Sequence, residues 1–305
     1  MALVKQKIVA ASGILTTALV WGLMWYPFRS LNERGVSVAM TSLAVYSIAT
    51  LLGVTLFFQL YRRQFRFQPV LLALLAAFGW CNFSYTWAVA EGPVMRVLLL
   101  FYLSPLWVAL LSWLFLKERL TRSGWLVVAM SLAGCFIFIY KPGMLSGGEL
   151  LSTRYEWLAL SGGMAFACGN VISRAAKSLP VPVKSATIWL GVALMGAISL
   201  GSQGQLSQML AIPADSWLLL GILGVTLLCT SVISQHGVSI LPATQAMTLM
   251  LMELLFAAIS AYLLAGEAMT AREWLGGALI AGASLFSNRM THPPAKKTLA
   301  EAKEA

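Results

Sequence analysis

Ten stretches of mostly apolar residues, separated by short charged or Pro/Gly-containing segments, dominate this sequence. A bilayer core about 30 Å thick is crossed by roughly 20 residues of helix, and most of the runs approach that length. They cover 8–26, 36–61, 69–90, 94–116, 124–140, 157–175, 183–200, 217–235, 242–264 and 273–286. None shows the strict alternation of a barrel strand, and a helix satisfies its own backbone in lipid, so the expected class is an all-α polytopic membrane protein. Composition agrees: 59% of the residues are hydrophobic and 10% charged, against roughly a quarter charged in an average soluble domain. The first run follows Lys5 and Lys7 as a signal peptide would. It continues into bulky Trp21, Trp25 and Tyr26 instead of a small-residue cleavage site, so it reads as a retained helix.

The formal net charge of +10 could suggest nucleic acid, but its distribution points elsewhere. With the N-terminus placed inside and the loops assigned alternately, 15 of the 21 basic residues fall in inner segments, among them Arg62, Arg63, Arg66 and Lys184. The 6 outer ones are Arg29, Arg34, Arg96, Lys141, Arg154 and Arg272. That asymmetry is an orientation signal that puts both termini in the cytoplasm. It also suggests some affinity for anionic lipid and no nucleic-acid partner. Arg29, Arg96 and Arg174 lie near span ends, where snorkelling toward water is the default. The 4 cysteines lie inside spans without metal-site spacing and read as small packing residues. No cofactor is implied.

Shifting the chain by 149 positions along itself superposes Pro93 on Pro242, Glu118 on Glu267, Thr121 on Thr270 and Trp125 on Trp274, with several leucines between. The repeated unit holds five helices, an odd number, so its two copies enter the membrane in opposite directions. Inverted repeats supply many secondary transporters with two related states and a midplane site between the halves. The expected organisation is a first repeat over 8–140, a second, inverted repeat over 157–286, and a disordered cytoplasmic tail over 291–305. Small residues four apart, Ala129 and Ala133 in the fifth helix and Ala278 and Gly282 in the tenth, read as close helix packing within one chain, with a homodimer contact as the alternative.

The same residues carry a resemblance. Trp21-Gly22 in the first helix and Leu103-Ser104-Pro105-Leu106 leading to Leu116-Lys117-Glu118-Arg119-Leu120 and Gly124-Trp125 are similar to the EamA type of the drug/metabolite transporter superfamily. So is the second copy, from Glu253 through Gly266-Glu267 to Trp274-Leu275-Gly276. The resemblance implies a ten-helix carrier of a bacterial plasma membrane with both ends in the cytoplasm, of a kind that often exports amino acids or other metabolites. One departure stands out: many relatives have Glu-Pro in the ninth helix, where this chain has Glu253-Leu254.

Glu253 is the most informative single residue. It lies eleven residues into its span, near mid-bilayer, where a charge costs on the order of 2.5–3.5 kcal/mol on insertion scales. Either it binds a substrate amine or exchanges a proton during transport, or it is a structural group hydrogen-bonded to a neighbouring helix. Trp21, Trp80, Asn82, Tyr85, Tyr102 and Asn170 form a second constellation of aromatic and amide groups. Aromatic walls accept apolar side chains and cations while amides orient a polar head. Lining a cavity and packing between helices both remain open for them, whereas Trp25, Tyr26, Trp113 and Tyr140, near span ends, read as an interfacial belt. Gln235, beside His236, could gate the cavity mouth.

No basic residue sits clearly at the midplane, which disfavours a phosphate-bearing substrate. The expected partners are membrane lipids and a small neutral, zwitterionic or cationic amphipathic solute. A polytopic enzyme is the rival from another class, but the chain has 2 histidines and no His-Glu-x-x-His or Gly-x-Ser-x-Gly pattern. A channel or lipid scramblase is the other alternative, separable from a carrier by saturation and counterflow.

Overall fold

A computed structural model describes residues 2–116, 119–140, 151–176, 179–240, 249–250, 252–285 and 291–292. Each predicted span has a helical counterpart there. The helices of the first half are α1 (Ala2–Glu33), α2 (Val38–Leu56), α3 (Phe58–Gln64), α4 (Val70–Glu91), α5 (Val94–Phe101), α6 (Ser104–Leu116) and α7 (Arg122–Ile139). Those of the second are α8 (Arg154–Ala175), α9 (Val181–Ser202), α10 (Ala214–Ile240), α11 (Met252–Ala265) and α12 (Ala271–Leu285). Six of the spanning segments are long and apolar enough to cross a membrane by length and composition, and shorter apolar helices accompany them. The only described non-helical pairing joins Arg119–Leu120 to Thr291–His292. Residues 293–305, most of the expected tail, lie outside the described residues, as does Glu118.

Three boundaries differ from the apolar runs. The first helix outlasts its run and stops at Gly35, whose φ of 84° suits the residue without a Cβ. The second breaks at Phe57, where α2 hands over to α3. The fourth is two helices, interrupted at Tyr102–Leu103. Pro105 accounts for this last break, because it has no N–H to give the carbonyl four residues back.

The two halves run in opposite directions. Arg29, in the last turns of α1, reaches the Val89 carbonyl at the end of α4 and the Glu267 carboxylate just beyond α11. Arg96, at the start of α5, meets Glu156 at the start of α8. So α8 begins on the face where α1 ends. Packing obeys the same exchange of halves: α1 lies on α10 and α11 as α8 lies on α4, α5 and α6, while α2 meets its own counterpart α9 and α7 meets α12.

The repeat's matched polar residues acquire equivalent jobs. Thr121 accepts from the Gly124 N–H at 2.9 Å and Thr270 from the Glu273 N–H at 3.3 Å, each opening the last helix of its half. Trp125 and Trp274 are both exposed on the outer surface. The small-residue expectation holds for Gly282, where a Cβ would lie 3.4 Å from the Met130 Cε of α7, and needs correction for the other three. Ala129, Ala133 and Ala278 face outward, and the contact between α7 and α12 is instead made through Gly134. A Cβ there would come within 2.8 Å of the Gly276 carbonyl oxygen, so it is glycine on the other stripe that lets the helices close.

Candidate functional site

The interruption after α5 brings Tyr102 to the start of α11, and its hydroxyl donates to Glu253 Oε2 at 3.1 Å. This bond joins the fourth spanning segment of one half to the ninth, its counterpart in the other. A broken helix at a midplane site leaves backbone and side chains available that a continuous helix would commit. Around the pair stands a chain of aromatic rings. Phe101 lies 5.1 Å from Tyr85, 6.3 Å from Tyr102 and 5.6 Å from Phe166, centroid to centroid. Tyr85 is within electrostatic range of Glu253 and of Tyr46.

Glycine at position 22 sets how closely the first helix approaches this site. A Cβ there would fall 2.9 Å from the Glu253 carbonyl oxygen and 2.8 Å from the Phe256 Cβ, so α1 rests directly on the turn that carries the carboxylate. One turn further on, Trp25 Nε1 donates to Ser260 Oγ at 2.9 Å, and Ser260 donates to the Gly22 carbonyl at 3.0 Å. Trp25 is therefore a core residue, 2% exposed, and not part of the interfacial belt expected from its position near a span end. Its indole N–H needed a partner once buried, and α11 supplies one. Tyr26 and Trp113 are exposed, as a belt requires.

Not every expected residue converges on Glu253. Trp21 is half-buried and leans on the opposite core cluster, with Met24, Phe28 and Trp189. Trp80 is 38% exposed and donates to Ser161 Oγ at 3.3 Å. Asn82 and Asn170 use one N–H each on their own helices, on the carbonyls of Phe78 and Phe166 at 2.9 and 2.8 Å. That leaves each amide oxygen without a partner among the described contacts. Gln235 lies in α10, but its side chain is outside the described residues. Trp107 adds a donor: its indole nitrogen is buried with no hydrogen-bond partner in the described structure.

The sequence reading missed the ionic groups at the end where α1 finishes. Arg29 donates to Glu267 Oε1 at 3.1 Å, to the Val89 carbonyl at 3.0 Å and to the Gly92 carbonyl at 2.6 Å, and it stacks 4.8 Å from the Trp25 ring. Glu267 also accepts the Val94 N–H at 2.7 Å, capping α5 from the other half. Arg96 donates to Glu156 at 2.6 Å, and the same carboxylate accepts the N–H groups of Ser152 and Thr153 at 2.9 and 3.1 Å. Arg29 and Arg96 are thus held in paired sites and do not snorkel. The Arg174 side chain lies outside the described residues. The match of Glu267 with Glu118 across the repeat was the available signal for Glu267, but its partners lie far away in sequence.

The EamA-like transporter family model matches residues 8–140 and again 153–289. The uncharacterized transporter YwfM of Bacillus subtilis is 25% identical over 278 residues, 88% of this chain and 89% of its own length. An uncharacterized transporter of Pseudomonas aeruginosa is 28% identical over 182 residues, a segment covering 58% of either protein. One solved crystal structure shares the fold, with a TM-score of 0.60 at 18% identity over 97% of this chain and 98% of that one.

Proposed function

The chain belongs to the EamA-like transporter family, and from that premise we propose that it is a secondary transporter that exports a small neutral, zwitterionic or cationic amphipathic metabolite. An amino acid or a drug-like amine fits that description. The observation that carries the reading is the Glu253–Tyr102 contact: a carboxylate in the span, at the meeting of the two halves, with a phenol and not a cation as its described partner. Ionisable groups so placed in membrane proteins mark solute or proton paths. The ring chain of Tyr85, Phe101, Tyr102 and Phe166 offers the apolar portion of a solute a wall and an ammonium group a π-face. Arg29 and Arg96 are engaged by carboxylates, which argues against an anionic cargo at that face.

Transport runs by alternating access, the halves rocking about this site. The Arg29–Glu267 and Arg96–Glu156 contacts tie the halves together at one face, so opening there requires parting them. Glu253 serves as amine ligand, as carrier of a coupled proton, or as both in turn. Trp21, Trp80, Asn82, Asn170 and Gln235 belong to the remaining wall and mouth of the solute path. The positive-inside distribution of charge supports termini in the cytoplasm, and the bacterial relatives support a bacterial plasma membrane as its location.

The test is counterflow in proteoliposomes with a panel of amino acids, amines, sugars and cationic dyes, with and without a pH gradient. Saturable counterflow of an amine-bearing solute, lost in Glu253→Gln, is the expected result. Unimpaired counterflow in that variant, or flux that never saturates, would contradict the proposal.

A further inference from the structure

On the membrane-facing side of the second, seventh and eighth spans lies a crevice of about 170 Å³, lined by Phe57 and Tyr61, by Pro182, Ser185 and Trp189, and by Val232. It exists because the helical path breaks at Phe57, so that α3 leaves the axis of α2 and uncovers the flank of α9. Its lining is almost wholly apolar, with the Trp189 ring, 6% exposed, among its walls. Val181 and Val232 are exposed beside it, so the crevice opens sideways toward lipid. At one end the Tyr61 hydroxyl donates to the Pro182 carbonyl at 2.8 Å.

Directly after Tyr61 the chain presents Arg62, Arg63 and Arg66, all exposed and interleaved with exposed Phe65 and Phe67. The ion pairs found among the described residues use none of these arginines. Lys184 stands on the same face of α9 as Val181 and Ser185. It spends one N–H on the Ser173 carbonyl at 2.9 Å and keeps two in hand. An apolar slot facing acyl chains, with Tyr61 in its wall and, next along the chain, arginines that form no ion pair among the described residues, is complementary in charge and polarity to one molecule of the bilayer itself.

We propose that this crevice binds an anionic phospholipid, with an acyl chain against Trp189 and the phosphate held by Arg62, Arg63 and Arg66. Free phosphate meets only the arginines and has no use for the slot. A zwitterionic lipid fills the slot but adds a choline cation to a cluster that is already positive. The site is separate from Glu253 and does not depend on what the protein carries.

The experiment titrates the detergent-solubilised full chain with dioleoyl-phosphatidylglycerol and, separately, with dioleoyl-phosphatidylcholine, reading bound lipid by native mass spectrometry. The wild type should hold the anionic lipid at least about fivefold more tightly, and millimolar inorganic phosphate should not displace it. The combined R62A, R63A and R66A variant should lose the preference while still binding lipid. Ser185→Leu, which fills the slot, should weaken both lipids, with Val232→Phe as the alternative filler should the first variant fail to fold. Equal retention of the two lipids by the wild type, a preference that survives loss of the arginines, or displacement by phosphate would overturn the proposal. So would a filled slot that slows solute counterflow and leaves lipid retention untouched, since that is the behaviour of a solute portal.

Discussion

Glu156 and Glu267 at the Arg29 face and Glu253 in the ninth span are the same residue type in water-poor surroundings, and the protein treats them in opposite ways. Glu156 is fully buried with a guanidinium and two backbone N–H groups on its oxygens. Glu267 likewise has Arg29 and the Val94 N–H. Glu253 has a single phenolic donor among its described contacts. A buried carboxylate with a full complement of donors is a structural fastener. One with a lone neutral donor keeps acceptor capacity in reserve, which is what a site for a transient cation or proton requires.

The contrast can be broken most forcefully at its satisfied end. Glu156→Gln removes the charge that faces the Arg96 guanidinium, and loss of one member of a buried pair costs about 3–5 kcal/mol; the expected outcome is a large fall in the detergent unfolding midpoint. Replacing both members with apolar residues of similar volume, R96M with E156L, should recover most of that loss, and a double variant as unstable as the single one would refute the pairing account.

Glu253→Gln should do the reverse. Its unfolding midpoint should stay near that of the wild type, while solute counterflow falls by about tenfold or more, equivalent to at least about 1.4 kcal/mol of lost interaction. A drop in stability as large as that of Glu156→Gln would make Glu253 another fastener. Ser260→Ala sharpens the comparison from the neutral side. It leaves the buried Trp25 N–H without its acceptor, at a cost of about 1–3 kcal/mol, and scanning calorimetry should show a modest loss of stability. The smallest effect belongs to Tyr102→Phe. Removing one hydrogen bond worth about 0.5–1.5 kcal/mol should shift the half-saturating solute concentration several-fold and leave the unfolding midpoint nearly unchanged.

Much of this arrangement was legible before any tertiary information. The spans follow from apolar runs long enough for a bilayer. The inverted relation follows from an odd-numbered repeat, and Glu253 was conspicuous as a carboxylate inside a span. Ser104-Pro105 was a readable sign of the break beside Tyr102, but within so apolar a run it was absorbed into one helix. Trp25 and three of the four small residues, Ala129, Ala133 and Ala278, were misread for a common reason. Proximity to a span end, or a spacing of four, says which residues share a face, but not which face meets another helix.

The sequence by itself determined that this chain lives in lipid, that it doubles back on itself as two opposed halves, and that one carboxylate must be accommodated within the membrane. Those properties are local or periodic, set by the transfer of each residue between water and hydrocarbon. Only the tertiary structure decided which acidic groups are quenched by arginine, which tryptophan is buried, and that Tyr102 reaches Glu253. Those partners lie 60 residues apart for Arg96 and Glu156, 235 for Trp25 and Ser260, and 151 for Tyr102 and Glu253. Their meeting depends on how closely helices pack, which glycines such as Gly22 and Gly134 decide through absent side chains.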